Sequence, residues 1–169
     1  RLLPGEVLGI TGLLGSGRTE LALALFGLNP ASTGRILRDG QAVEIASVRD
    51  AMDHGIAYVP ENRLLQGLVL HHSVAKNLLL TVLRRLRTRF GLTDSNKQGE
   101  LVRQWIKEFK IKAPSADACI ETLSGGNQQR VVLAKWIAMN PKILILDNPT
   151  VGIDIAAKRK TRCKDMFII

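Results

Sequence analysis

The sequence predicts an α/β fold built on a parallel sheet, and three observations carry that prediction. Short apolar runs stand at residues 7–11, 56–59 and 142–146 without polar alternation, the pattern of strands buried on both faces. Helical spacing follows the first of them across a glycine-rich loop at residues 12–17. Aromatic residues make up 4% of a chain that is 46% hydrophobic, so the core must rest on Leu, Ile, Val and Ala, which suits such a sheet.

The elements follow in order. The run at 7–11, after Pro4 and Gly5, is the first buried strand. Residues 19–26 form a helix that Gly27 and Pro30 end. Residues 35–38 and 41–45 flank Asp39-Gly40, a strong hairpin signal. Ser47 and Asp50 have capping-box spacing, so a short helix follows, and the strand at 56–59 stops at Pro60. Residues 74–90 are leucine-rich at helical spacing with arginine on the opposite face. A polar break at 93–97 and renewed helical spacing at 99–109 complete what reads as a helical insert, with a loop at 115–118. Residues 126–139 form a helix entered through a glycine pair and ended by Pro141, and the strand at 142–146 runs into Asp147. After Asp154 a basic segment at 158–163 precedes an apolar one at 166–169, and no further strand–helix alternation is expected.

The length, 169 residues, fits one domain with a small insert. The chain opens at Arg1, not Met, and is read as a piece of a longer protein. A net charge of +9 raises nucleic acid or an anionic membrane as partners. The basic clusters at 84–89 and 158–164 carry no interleaved aromatics to stack bases, which favours solvated charge and no nucleic-acid partner. Cys119 and Cys163 lie far apart in no metal-binding spacing, so a reducing compartment is the expectation. The longest apolar runs, 78–83 and 143–146, are too short to span a bilayer. Any membrane part would come from a partner.

Three motifs carry chemistry. Gly12-Leu13-Leu14-Gly15-Ser16-Gly17-Arg18-Thr19 has the phosphate-loop form, with Arg18 where lysine is usual. Its glycines let backbone amides turn inward around an anion, and the helix that follows points its positive end there. Arg18 would reach the phosphates and Thr19 would help to hold Mg²⁺. An ordinary glycine-rich turn from strand to helix is the alternative. In the second motif four apolar residues end in Asp147, a candidate Mg²⁺ ligand beside Asn148. Asn148 is neutral and cannot act as a general base; a buried strand ending in a turn is the alternative reading. In the third, Leu123-Ser124-Gly125-Gly126-Asn127-Gln128 opens a helix whose first amides and hydroxyl form a second phosphate site, or a plain serine cap. His71-His72, Trp105, Trp136 and Cys119 read as loop or core residues.

Together these strings resemble the ATP-binding domains of ABC transporters, over residues 4–158. The loop through Glu20 and Leu21, the string from Tyr58 through Glu61 to Val69, and the signature resemble the second nucleotide-binding domain of bacterial ribose, galactose and xylose importers. The resemblance implies a P-loop NTPase fold of the ABC type with a helical subdomain, C-terminally incomplete. The implied division is an α/β core at 1–72 and 119–158, a signature-side insert at 73–118 and an atypical tail at 159–169. It implies ATP and Mg²⁺ as cofactors, with Gly12, Gly15, Ser16, Gly17, Arg18, Thr19 and Glu20 at the nucleotide and Thr19 and Asp147 at the metal. Glu61 falls where related domains carry the glutamine that senses the membrane partner, and residues 152–154 where they carry the D-loop. The implied partners are a second nucleotide-binding domain, transmembrane permease subunits and, indirectly, an extracellular or periplasmic sugar-binding protein. The implied place is the cytoplasmic face of the bacterial plasma membrane. Three departures stand out: Asn148 replaces the glutamate expected there, no histidine follows 154, and the chain after Lys158 is unlike the family; the aromatic that stacks adenine is expected before Arg1. Asn148 and Arg18 favour a degenerate half that donates an intact signature. A nucleotide-binding regulatory module and a soluble non-transport ABC ATPase are the alternatives.

Overall fold

The computed structural model describes residues 2–86, 94–148 and 165–168, omitting the side chains of Arg63 and of 165–168. The chain divides into two compact units, residues 1–61 with 140–169, and residues 62–139. The second takes in the signature helix, which the sequence reading placed with the core.

The first unit is built on a parallel sheet in the order β1-β6-β5-β4. Its strands are β1 (Val7–Gly9), β4 (Ile56–Val59), β5 (Ile143–Leu146) and β6 (Asp165–Ile168). All four residues of β4 and the last three of β5 are buried, as their unbroken apolar runs require. The last strand corrects the expectation that no strand follows Asp154. β6 pairs with β1 on one side and β5 on the other, Val7 opposite Met166 and Leu144 opposite Met166. A four-residue apolar run after a basic stretch gives no periodicity to read, but an inner parallel strand needs none. Residues 149–164 lie outside the described part.

Helix α1 (Arg18–Leu25) follows β1, and Phe26 at its end is buried. The hairpin of β2 (Ile36–Arg38) and β3 (Gln41–Val43) turns at Asp39 and Gly40, both with positive φ, as its sequence predicts. Ser47 caps α2 (Val48–Asp53), its hydroxyl accepting from the Asp50 amide at 3.2 Å. Asp50 answers by accepting from the Ser47 hydroxyl and the Ala46 amide, one residue short of the reciprocal box expected.

The second unit opens with a π-helical turn at Arg63–Gly67 and continues through α3 (Val74–Leu79), α4 (Ser95–Glu108), a 3₁₀ turn at Ile120–Thr122 and α5 (Gly125–Ile137). Ser73 and Asp94 cap α3 and α4. α5 is the centre of this unit, with Val131, Val132 and Ala134 fully buried. The leucine spacing predicts one helix over 74–90, whereas regular α-helix ends at Leu79 and turns continue to Leu86. The Thr81 hydroxyl and the Arg85 guanidinium donate to the carbonyls of Lys135 and Met139 at the end of α5, so tertiary bonds set the path of this segment. Asn77, fully buried, donates to the carbonyls of Val69, His72 and Ser73 and accepts from the Val69 amide, closing the loop before α3.

Candidate functional site

The loop between β1 and α1 is shaped by its glycines. Gly15 and Gly17 take φ of 78° and 82°, a region that side chains with a Cβ rarely adopt. Gly12 is needed for closeness instead: a Cβ there would lie 2.6 Å from the Ser16 hydroxyl. The Ser16 amide donates to the Leu13 carbonyl at 3.1 Å, and α1 starts at Arg18. Gly17 caps α1 and has no side chain to take up the first amides of the helix. The result is a helix start of the kind that could hold an anion, with Ser16 exposed and Arg18 and Thr19 half-buried. Glu20 is exposed in the first turn.

Strand β5 brings the acid to this helix. Asp147 is 3% exposed, and one of its carboxylate oxygens, Oδ1, accepts from the Thr19 hydroxyl at 3.3 Å. The other, Oδ2, accepts from the Tyr58 hydroxyl on β4 at 2.9 Å. The Tyr58 phenol is pushed well above its usual range, first by burial, then by its bond to Asp147 and the charges of Asp147 and Glu61. A hydroxyl and one carboxylate are hard oxygen donors that fit Mg²⁺, which takes few protein ligands and completes its shell with water and phosphate. Among the described residues no cluster of three or more His, Cys, Asp or Glu could hold a metal. Thr19 and Asp147, 128 residues apart in sequence, are thus brought together as the motifs imply.

Asn148, at φ 41°, donates its amide to the Glu61 carboxylate at 2.7 Å. The neutral group next to Asp147 therefore sits against the carboxylate that follows Pro60. A cavity of about 370 Å³ lies elsewhere in this unit, lined by Pro30, Arg35, Glu44 and neighbours, and none of the motif residues line it.

The signature lies in the second unit. Leu123 is buried, while Ser124 and Gly126 are exposed at the start of α5. The Asn127 amide donates to the Ser124 hydroxyl at 3.0 Å. Ser124 Oγ is the acceptor in that bond, so its own proton is left to donate outward. Asn127 in turn accepts from the Lys112 amide at 2.9 Å and from Arg130 at 3.2 Å. Gln128 is buried and donates to the Ile120 carbonyl. A Cβ at Gly126 would meet nothing within 4 Å. Gly125 and Gly126 begin the helix, where amides have no partner within it.

Sequence reasoning missed the role of Tyr58 beside Asp147. The available signal was a single tyrosine in an aliphatic strand, since a buried phenol must find a partner for its hydroxyl. It also missed Lys135, 6% exposed on α5, whose ammonium donates to the Gly67 carbonyl and lies 5.1 Å from the Trp136 ring. Residues 152–154, expected as the D-loop, lie outside the described part.

The family model for ABC transporters matches residues 1–151. The chain is 51% identical over 156 residues to the ribose import ATP-binding protein of Geobacillus kaustophilus, covering 92% of this chain and 31% of that protein. It is 50% identical over 157 residues to the ribose import ATP-binding protein of Rhodopirellula baltica, covering 92% of this chain and 30% of that one. The chain thus spans under a third of the length of these curated relatives. Among solved structures it is similar to CbiO1 of Clostridium perfringens, described as part of an ABC transporter complex, with TM-score 0.74 and 25% identity over 99% of this chain and 67% of that one. A dimeric ATP-binding cassette holding ADP and phosphate shares the fold, at TM-score 0.76 and 19% identity, over 99% of this chain and 75% of that one.

Proposed function

We propose a function from one fact: this chain belongs to the ABC transporter family. Its role is to bind ATP with Mg²⁺ on residues 12–20 and Asp147, as one nucleotide-binding domain of a sugar importer of the ribose type. The observation that carries this is the meeting of the Thr19 hydroxyl and the buried Asp147 carboxylate, 3.3 Å apart at the end of the glycine loop. The names of the relatives, ribose import ATP-binding proteins, support sugar as the cargo. A second nucleotide-binding domain, permease subunits and, indirectly, a sugar-binding protein outside the membrane are the partners of this reading. It works at the cytoplasmic face of the bacterial plasma membrane. No helix among the described residues is long and apolar enough to cross a membrane.

In this reading the loop amides and Arg18 hold the phosphates, while Thr19 and Asp147 hold Mg²⁺, which neutralises charge that develops on the phosphate oxygens. Asn148 cannot take a proton, so this chain is the degenerate half, and its main output is the signature given to the partner's site. There the Ser124 proton and the amides of Gly125 and Gly126 would meet the γ-phosphate in a closed, water-excluding pair. In the reconstituted transporter, Ser124→Ala or Gly125→Asp should cut ATPase rate and sugar uptake by roughly a hundredfold or more, and Asn148→Ala by much less. Equal damage from Asn148→Ala would defeat the donor reading.

A second reading is a regulatory module that binds nucleotide without hydrolysing it. The Asn148–Glu61 bond favours it, since the neutral amide is already engaged. Turnover by the chain alone, lost in a Thr19→Ala control, would exclude it.

A further inference from the structure

Tyr58 is the single tyrosine of the chain, on a strand otherwise made of Ile56, Ala57 and Val59. It is 3% exposed, and its ring lies 5.3 Å from that of Phe26 at the end of α1. Phenylalanine would fill this place equally well as packing, and burying a phenol is unfavourable unless its hydroxyl is bonded. The partner is Asp147 Oδ2 at 2.9 Å, while Asp147 Oδ1 faces the Thr19 hydroxyl at 3.3 Å.

A carboxylate turns easily about its last bond. Donors on opposite oxygens remove that freedom and fix its plane. The chemistry of the donor also matters. A lysine or arginine in place of Tyr58 would form an ion pair and cancel the charge that attracts a cation. A neutral phenol orients the carboxylate and leaves its full negative charge in place.

We propose that Tyr58 is a positioning residue for the metal site: it holds Asp147 by one oxygen so that the other stays turned to Thr19 and to the divalent cation of a bound nucleotide. This rests on the reading of residues 12–20 and Asp147 as an Mg²⁺-nucleotide site. Ligand-supporting bonds of this kind are worth about 10- to 100-fold in metal affinity.

The test is binding of a fluorescent ATP analogue to the full 169-residue chain, titrated with Mg²⁺ and repeated in EDTA. Tyr58→Phe should raise the Mg²⁺ half-saturation point about 10- to 100-fold and leave the affinity in EDTA unchanged, a separation that a general packing defect would not produce. In an Asp147→Asn background the same substitution should have no further effect, because the group it positions is gone. Since Tyr58 is the only tyrosine, 3-fluorotyrosine labels this position alone. Its ¹⁹F resonance should move when Mg²⁺ joins the nucleotide, and stay still in Asp147→Asn. An unchanged Mg²⁺ titration in Tyr58→Phe, an equal loss in EDTA, additivity with Asp147→Asn, or a static resonance in the otherwise wild-type chain overturns the inference. A wild-type chain with the same affinity in Mg²⁺ and in EDTA overturns the nucleotide reading and the inference with it.

Discussion

The chain contains two glycine-rich helix starts, and they are built in opposite ways. At α1 the backbone does the shaping: Gly15 and Gly17 sit in the left-handed region and no side chain caps the helix. At α5 the cap residue Ser124 has ordinary extended dihedrals, and side chains do the shaping, with Asn127 bonded to Ser124, Lys112 and Arg130. The first places the buried Asp147 carboxylate beside Thr19 in the first turn of its helix. The second holds a hydroxyl ready to donate and leaves its amides at the surface. In the proposed function one loop encloses a phosphate and the other is pressed against one.

Substitutions can break this contrast, and the largest effect should fall on nucleotide binding. Thr19→Ala in the chain alone should lower Mg²⁺-dependent affinity at least 10- to 100-fold, while Ser124→Ala should leave it unchanged. Isothermal titration decides, and a loss with Ser124→Ala would show that the second loop serves the chain's own nucleotide. Next comes the polar support of α5. Burial pulls the Lys135 ammonium down to about 8, against about 10.4 in an unfolded chain. Between those values the unfolded chain carries a proton that the folded one lacks, so stability rises with pH, by on the order of 2 kcal/mol from pH 8 to 10. Lys135→Met should abolish that rise in urea unfolding, with the series stopped at pH 10, above which Tyr58 contributes the opposite slope. Asn127→Ala should cost about 1–3 kcal/mol, because it strips the bonds behind Ser124 at once. The glycines give the smallest and sharpest comparison. Gly15→Ala should cost about 1–2 kcal/mol through its φ of 78°. Gly126→Ala, with open space around a Cβ, should be neutral or stabilising by about 0.4–1 kcal/mol. Equal costs at the two positions would erase the distinction between a backbone-built and a side-chain-built loop.

Much of this was legible in the sequence, for physical reasons that can be named. The strands at 56–59 and 143–146 are continuous apolar runs bounded by Pro60 and Pro141. The hairpin was fixed by Asp39-Gly40, and both glycine loops by their spacing and by the helices that follow. What stayed hidden depended on partners distant in sequence. β6 has a four-residue run and no local signal, and only pairing with β1 and β5 makes it a strand. The path after Leu79 follows bonds to the end of α5, not its leucine spacing. The link from Tyr58 to Asp147 follows from register, because Val59 pairs with Leu146 and the two strands end side by side.

The place of β6 also sets an order of assembly. Residues 62–139 form one contiguous stretch with local caps, and bonds such as Thr81 to Lys135 and Lys135 to Gly67 close loops of 54 and 68 residues within it. The sheet of the first unit closes only when Met166 reaches Val7, so almost the whole chain must be looped before its first strand gains a neighbour. Contacts that close long loops form late, since their entropy must be met before they contribute. On this ground residues 62–139, whose loops are shorter, are expected to form before the sheet. The glycine loop at 12–17, carried on the end of β1, is expected to be set in place late.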